Sequence, residues 1–565
     1  MQKMILWSIL ILAFLLRVYQ ITDYPAGFSP DEAGQGYTAY SLLKTGKDEW
    51  GQAFPLAPRS YGDYRAPLYT YLTVPSVAIF GLNEFSVRFP AVIFGSLAVL
   101  VVYLVTIELF AKQNVFDSKK LALLSAFLLA ISPWHISLSR GAFEPNLPTL
   151  LLPLGIWAFL RGLEAKKYML FSGLLFGLSL FSYYSARVIA PVLLFFLVIW
   201  KIPRDQWIGF VKKYTLAVAV FVLFLFTALS TSFLGGNTRV ADVAIFSPTG
   251  GWGAVADRRY EAVLQGLQDE LARLFSNKVS YTLGQFINNY LSYLSPQFLF
   301  TNGAGESTYG LSPGIGLLYL IELPMFIAGL IIFTKPGTGF AGKLIIFWLL
   351  ISFIPAALAK GPGYAANRAA LAMPAIQIIS AVGTLACLSL ISKYRNIKAQ
   401  KLLNCFVVAL LVSLVFFLES YFYHAPVQNS RFMSYGWRQA VEYLKSTEGE
   451  YSQIVVSKRF SEPQIYVAFY NQLDPKVVQD ASRDWLRYEA EGKLFVDQLG
   501  EYKLGKYVFK TFDYKLESSL DSVLFVGQPQ DFPQNIVAQK TVYYPGGKPA
   551  VLIVDPSKAT YAQTL

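Results

Sequence analysis

The sequence predicts a polytopic α-helical membrane protein, with about eleven transmembrane helices and a C-terminal mixed α/β domain. Three observations lead there. Of 565 residues, 54% are hydrophobic and only 15% charged, and the mean hydropathy is +0.42, too apolar for an ordinary soluble enzyme. Apolar runs recur from the N-terminus to Tyr423, and every second loop between them is basic. Beyond His424 the composition changes, and charges become frequent from Arg431 onward.

The first apolar run, residues 5–16 with flanks reaching Tyr19, is followed by no small-x-small cleavage site, so it reads as a retained first helix. Further runs lie at 85–110, 121–138, 147–160, 169–184, 188–200, 216–229, 311–333, 344–358, 370–391 and 402–423. Several fall short of the roughly 20 residues of a perpendicular span. The loops holding Lys112, Lys119 and Lys120, then Arg161, Lys166 and Lys167, then Lys201, Arg204, Lys212 and Lys213, then Lys335 and Lys343, then Lys393, Arg395, Lys398 and Lys401 alternate with less basic ones. Taken with Lys3 as cytoplasmic, they place the N-terminus inside and the loops 21–83 and 235–310 outside, together with the C-terminal tail.

Within the outer loops, residues 68–82 are interrupted by Pro75 and read as a juxtamembrane or re-entrant helix. Between Arg259 and Phe275, leucines 264, 267, 271 and 274 recur at helical spacing beside Glu261, Asp269, Glu270 and Arg273. Such a helix either lies at the interface as a lid or packs on the bundle, and packing is the commoner outcome. The chain divides into a membrane module, 1–424, and a soluble domain, 425–565. In the latter, residues 437–446 read as helix and 453–457, 507–512, 523–526 and 550–554 as strands.

Composition narrows the chemistry. The net charge of +12 suits basic cytoplasmic loops and anionic lipid, and calls for no nucleic acid. Cys387 and Cys405 lie in apolar runs and support neither a disulfide scaffold nor a thiolate zinc cluster, and His135 and His424, the only histidines, exclude a multi-histidine metal site. His135, beside Trp134, reads as a packed residue. Neither a Walker motif nor a pair of repeated halves is visible, so an enzyme of this kind would draw its energy from an activated substrate.

Just beyond the outer end of the first span stands Ser29-Pro30-Asp31-Glu32, followed by small residues and Tyr37. Proline at the first position starts a helix whose exposed N–H groups hold a carboxylate rigidly. Adjacent side chains on that helix diverge by about 100°, so the acids take different roles, one facing an acceptor and its neighbour making a supporting bond or holding a cation. A solvated helix start is the bland alternative. The same loop carries Arg59, Asp63, Arg65, Pro67, Tyr69 and Tyr71; an arginine fork before an aromatic segment suits a phosphate at the membrane surface, while Asp63 pairs with it or binds a metal. Arg140, with Glu144 and Asn146, then Arg187 after Tyr183 and Tyr184, and Arg368 after Asn367 occupy further outer ends. Arginines gathered on that side would form a pocket for an anion, although each singly is also an ordinary interfacial anchor.

Four elements give the chain a resemblance to membrane glycosyltransferases of the GT-C class, particularly bacterial relatives of protein O-mannosyltransferases and of the lipid A aminoarabinose transferase. They are Pro30-Asp31-Glu32, Arg65-Ala66-Pro67-Leu68-Tyr69, the segment 81–90 from Gly81 through Arg88 to Pro90, and Ser137-Leu138-Ser139-Arg140. The resemblance implies inverting transfer of a sugar from a polyprenyl-phosphate donor to a lipid, glycan or protein hydroxyl, outside the bacterial plasma membrane. It implies Asp31 as the base, Glu32 as its support, and Arg65 as the donor-phosphate contact, aided by Arg140, Arg187 and Arg368. These transferases place Glu before Lys where this chain has Tyr64 before Arg65, so the family's metal ligand does not carry over to Tyr64; the resemblance leaves open a divalent cation (magnesium, manganese or zinc) or none, with Asp63 as the candidate substitute ligand and Glu32 as a candidate helper. A transporter or flippase of isoprenoid-linked saccharides is the alternative class, and a scaffold with an external binding domain a third.

Overall fold

The computed structural model describes residues 2–62, 64–111, 117–234, 244–246, 252–305, 310, 314–361 and 366–561. Its N-terminal half runs through α1 (Gln2–Val18), α2 (Pro30–Thr45), α3 (Pro67–Phe80), α4 (Glu84–Phe110), α5 (Ser118–Ile131), α6 (Pro133–Leu138), α7 (Asn146–Glu164), α8 (Lys166–Ser179), α9 (Tyr184–Lys201), α10 (Trp207–Lys213) and α11 (Thr215–Leu234). Each apolar run of the sequence has a helical core, but their lengths differ. Among the described residues six helices are long and apolar enough to cross a bilayer: α4, α7, α9 and the stretches Gly339–Ala357, Ala366–Arg395 and Ala399–Asn429. The stretches Arg204–Lys213 and Thr215–Thr231, bent by 87°, give a seventh if counted as one span.

The expected eleven spans are therefore not reached by length, and the local chemistry explains why. Ser132 precedes Pro133 and takes ψ 124°, which stops α5 after 14 residues. At 1.5 Å per residue such a helix reaches roughly 21 Å, short of the ~30 Å hydrocarbon core. The α8 helix is equally short at 14 residues, and α1 has 17. The α3 helix also has 14 residues and runs through Pro75 without breaking.

The helices define two ends. At one, the Tyr184 hydroxyl donates to the Tyr64 carbonyl at 2.6 Å and the Leu68 N–H to the Phe181 carbonyl at 3.0 Å. At the other end of α4, Arg161 pairs with Glu108 at 2.6 Å, the Tyr214 hydroxyl bonds the Gly162 carbonyl at 3.0 Å, and Lys201 lies 3.9 Å over the Phe340 ring. The basic loops that carry Arg161, Lys201 and Lys343 meet at this second end. Between α11 and the later spans, Trp252–Leu264 and Asp269–Phe275 are separate helices, parted at Gly266 with φ +90°. Leu264, Leu271 and Leu274 are exposed rather than packed on the bundle, which suits a lipid interface.

The C-terminal part contains helix Trp437–Thr447, β1 (Gln453–Ser457), helices Pro463–Asn471 and Pro475–Trp485, β2 (Glu501–Leu504), β3 (Tyr507–Lys510), β4 (Val523–Gly527), β5 (Ile536–Val537), β6 (Lys540–Tyr543), β7 (Pro549–Val554) and β8 (Thr560–Tyr561). Six strands form a mixed sheet in the order β2-β3-β1-β4-β7-β6, with β1 parallel to β3 and β4 and the outer neighbours antiparallel. This sheet domain shares a hydrophobic core with the segment between α1 and α4 and with the start of α4: Phe28, Tyr37, Tyr61, Tyr69 and Val87 pack in one cluster with Tyr466, Phe469, Trp485 and Val496. The domain thus rests on the segment holding the candidate acids.

Candidate active site

The site is organised by the first turn of α2. Ser29 caps the helix, Pro30 opens it, and Ser29 and Glu32 bond reciprocally: the Glu32 N–H donates to Ser29 Oγ at 3.3 Å, and the Ser29 N–H to Glu32 Oε2 at 3.0 Å. Glu32 is fully buried. Arg88 Nε and Nη2 reach its two oxygens at 2.8 and 3.1 Å, and the Ala142 N–H adds a bond of 3.0 Å. Arg88 spends its other donors on the carbonyls of Ile21, Pro25 and Gly27 at 2.9, 3.2 and 2.6 Å. This pair is buried but hydrogen-bonded on both sides, the condition under which a buried ion pair is tolerable.

Asp31, turned away from Glu32 by one helical step, has a side chain 58% exposed. Its Oδ1 lies 3.3 Å from Arg65 Nη2, which also donates to Ser60 Oγ at 2.8 Å. Arg65 itself is buried and its N–H bonds the Pro58 carbonyl at 2.8 Å. Its guanidinium lies directly against Gly34, where an added Cβ would fall 2.1 Å from Nη1. Glycine inside α2 therefore makes room for the cation.

Of the expected residues, Asp31 and Arg65 come together at the surface, with Glu32 beneath. Arg187 is linked to them indirectly: its guanidinium lies 4.5 Å over the Tyr184 ring, and Tyr184 bonds the carbonyl next to Arg65. Arg187 also donates to the Leu180 carbonyl and Thr231 Oγ1 at 3.2 and 3.3 Å. Arg140 is fully buried and bonds the carbonyls of Leu16, Arg17, Tyr19 and Tyr24 and the Tyr421 hydroxyl, so it ties the end of α1 to later elements. Arg368 is half-buried on the short helix Ala366–Ala369, and no described contact joins it to the pair. His135 is packed, bonded to Arg17 at 2.7 Å and Thr149 at 3.2 Å.

Asp63 lies outside the described residues. Among those described, no three His, Cys, Asp or Glu side chains converge to hold a metal ion. Two acids that sequence reasoning passed over, Asp48 and Glu49, are buried beside α2. Burial, reinforced by Asp48, pushes the Glu49 carboxyl up to about 8. Arg88 was visible only as part of a longer motif. An ionisable residue inside the first turn of an apolar helix is itself the signal that a partner exists.

A family model described as dolichyl-phosphate-mannose-protein mannosyltransferase matches residues 64–230, a stretch containing Arg65, Arg88, Arg140 and Arg187 but not Asp31. No curated protein sequence matches the chain. Among solved structures it is similar to ArnT from Cupriavidus metallidurans, both apo and bound to undecaprenyl phosphate, with 11% identity, 98% of this chain and 97% of that one covered, and a TM-score of 0.51. It is also similar to the Archaeoglobus fulgidus oligosaccharyltransferase solved with zinc and sulfate, at 15% identity and a TM-score of 0.45, covering 82% of this chain and 61% of that one. The chain thus spans less than two-thirds of the archaeal protein's length. The likeness to ArnT runs nearly end to end, and the fold is the expected GT-C architecture: a multi-pass helical bundle with a C-terminal mixed-sheet domain.

Proposed function

We propose that the protein is a glycosyltransferase that moves a sugar, with inversion, from a polyprenyl-phosphate donor to a hydroxyl of a lipid, glycan or protein acceptor. The observation that carries this reading is the exposed Asp31 carboxylate set 3.3 Å from the buried Arg65 guanidinium. It places a proton acceptor beside a fixed cation. Asp31 takes the proton of the acceptor hydroxyl as that oxygen attacks the anomeric carbon. The carbon–oxygen bond to phosphate breaks on the opposite side, and its electron pair departs with the polyprenyl phosphate. Arg65, steadied by Ser60 and Gly34, opposes the negative charge growing on that phosphate. Arg187, joined to the site through Tyr184, is the proposed second cation. Glu32 and Arg140 touch main chain and protein partners only, so their proposed work is to position the loop.

The basic end of the bundle supports a cytoplasmic placing for the N-terminus, which puts Asp31, Arg65 and the domain 425–565 outside a plasma membrane. The family-model match and the ArnT fold support the substrate class, since the second ArnT structure holds undecaprenyl phosphate.

Membrane vesicles given a labelled polyprenyl-phosphate sugar test the reading. The expected products are labelled acceptor and free polyprenyl phosphate, lowered by about 10²- to 10⁴-fold in Asp31→Asn, the usual range for loss of a general base. Movement of intact donor across the membrane without product would instead identify a flippase. Near-normal turnover by Asp31→Asn would remove the assigned base.

A further inference from the structure

Behind Arg65 lies a buried acid that the transfer chemistry does not use. The Glu49 carboxyl oxygens stand 2.9 and 2.8 Å from Thr38 Oγ1, and the same Oγ1 stands 2.8 Å from the Gly34 carbonyl oxygen. A threonine hydroxyl has one proton to give. With Glu49 ionised, carboxylate and carbonyl would compete for it, and one close oxygen–oxygen contact would lack a hydrogen. A proton on Glu49 resolves the conflict: the carboxyl O–H donates to Thr38 Oγ1, which donates to the Gly34 carbonyl.

The groups around Glu49 argue the same way. Asp48, adjacent and also buried, accepts the N–H groups of Trp50 and Gln52 at 3.0 and 2.8 Å and faces the charge of Arg59. It is the better-supported anion of the two, and adjacent buried carboxyls disfavour double ionisation. Tyr37 on α2 and Tyr61 on the loop also face Glu49, and burial holds both phenols neutral. The remaining charge facing it is Arg65, which rests on Gly34, one helical turn from Thr38.

We propose that Glu49 is a positioning residue that works in its neutral form, fixing the Thr38–Gly34 turn under Arg65 while leaving the arginine's charge undiminished for an anionic phosphate. This rests on the reading of Arg65 as the donor-phosphate contact. Ionisation of Glu49 in alkaline solution sets an anion behind Arg65 and weakens its hold on phosphate.

The full chain in lipid nanodiscs allows two measurements. Infrared difference spectroscopy of wild type against Glu49→Gln is expected to reveal a carboxylic-acid carbonyl band at neutral pH that disappears in alkali. Glu49→Gln copies the shape of the protonated acid, and Glu49→Asp, which shifts the band without removing it, gives a second assignment. Binding of undecaprenyl phosphate alone supplies the functional readout. Wild type and Glu49→Gln are expected to bind equally near neutral pH, and wild type to fall behind by about tenfold in alkali, a ratio in which the phosphate's own titration cancels. An ionised Glu49 at neutral pH, or parallel affinities at every pH, overturns the proposal. A protonated Glu49 in a protein that binds no undecaprenyl phosphate at any pH overturns instead the donor reading, and with it the phosphate as the beneficiary.

Discussion

At Gly34 a side chain as small as alanine would drive its Cβ into the Arg65 guanidinium. Alanine is otherwise favoured over glycine within a helix by about 0.5–1 kcal/mol. Gly34→Ala is therefore expected to keep or raise the thermal stability in detergent while lowering kcat/KM by about tenfold or more, because the cation is displaced from its proposed place beside the donor phosphate. Measured together, the two values separate a lost fold from a lost geometry. Glu49 makes a pH prediction. Its carboxyl is raised from the usual range to about 8, so the folded protein holds a proton that the unfolded chain releases near 4.5. Stability from this source is greatest below that range and declines as pH rises toward 8. Glu49→Gln should flatten that decline in a melting-temperature series. Asp31 and Arg65 were each legible as candidates on one loop, but their pairing was not, because the sequence offered the nearer Asp63 as the partner of Arg65. Glu49 was not, because its state depends on Thr38, which lies beside it only after the loop folds back on α2.

At the scale of elements, the first turn of α2 is the joint on which the site turns. The helix start at Pro30 was readable, but not that Glu32 closes the cap with Ser29 and also bonds Arg88 of α4 and the Ala142 N–H. Glu32→Ala leaves the Arg88 charge buried and unmatched, a loss of about 3–5 kcal/mol by the usual cost of breaking such a pair. Replacing both, Glu32→Gln with Arg88→Met, should recover much of the stability in thermal unfolding without restoring transfer. Helices were found by their apolar runs, and strands β1, β3, β4 and β7 by their alternation with charged turns. Span count was less legible. Hydropathy marks where a helix is apolar, whereas its length is set by local stops such as Ser132-Pro133.

At the scale of the whole molecule, the sheet domain and the segment between α1 and α4 form one packed body rather than two tethered parts. Gln479 Nε2 donates to the Asp48 carbonyl at 2.9 Å and to Thr45 and Ser41 hydroxyl oxygens at 3.1 and 3.3 Å, and Arg59 bonds the Tyr488 hydroxyl at 2.7 Å. The double variant Gln479→Ala, Arg59→Ala is expected to speed amide hydrogen exchange across residues 41–52 and to slow both donor hydrolysis and transfer, with exchange in α4 and α7 unchanged. A domain that only recognised acceptor would leave donor hydrolysis intact. This body joins distant parts of the chain: the Tyr37 hydroxyl meets the Leu473 carbonyl across a sequence separation of 436 residues. During synthesis the acidic loop is thus made long before the surface that seats it has left the ribosome. Until that last portion arrives the proposed reactive residues lack the surface on which their loop packs, so a chain stalled or cleaved late in translation is expected to be inert toward lipid-linked sugars.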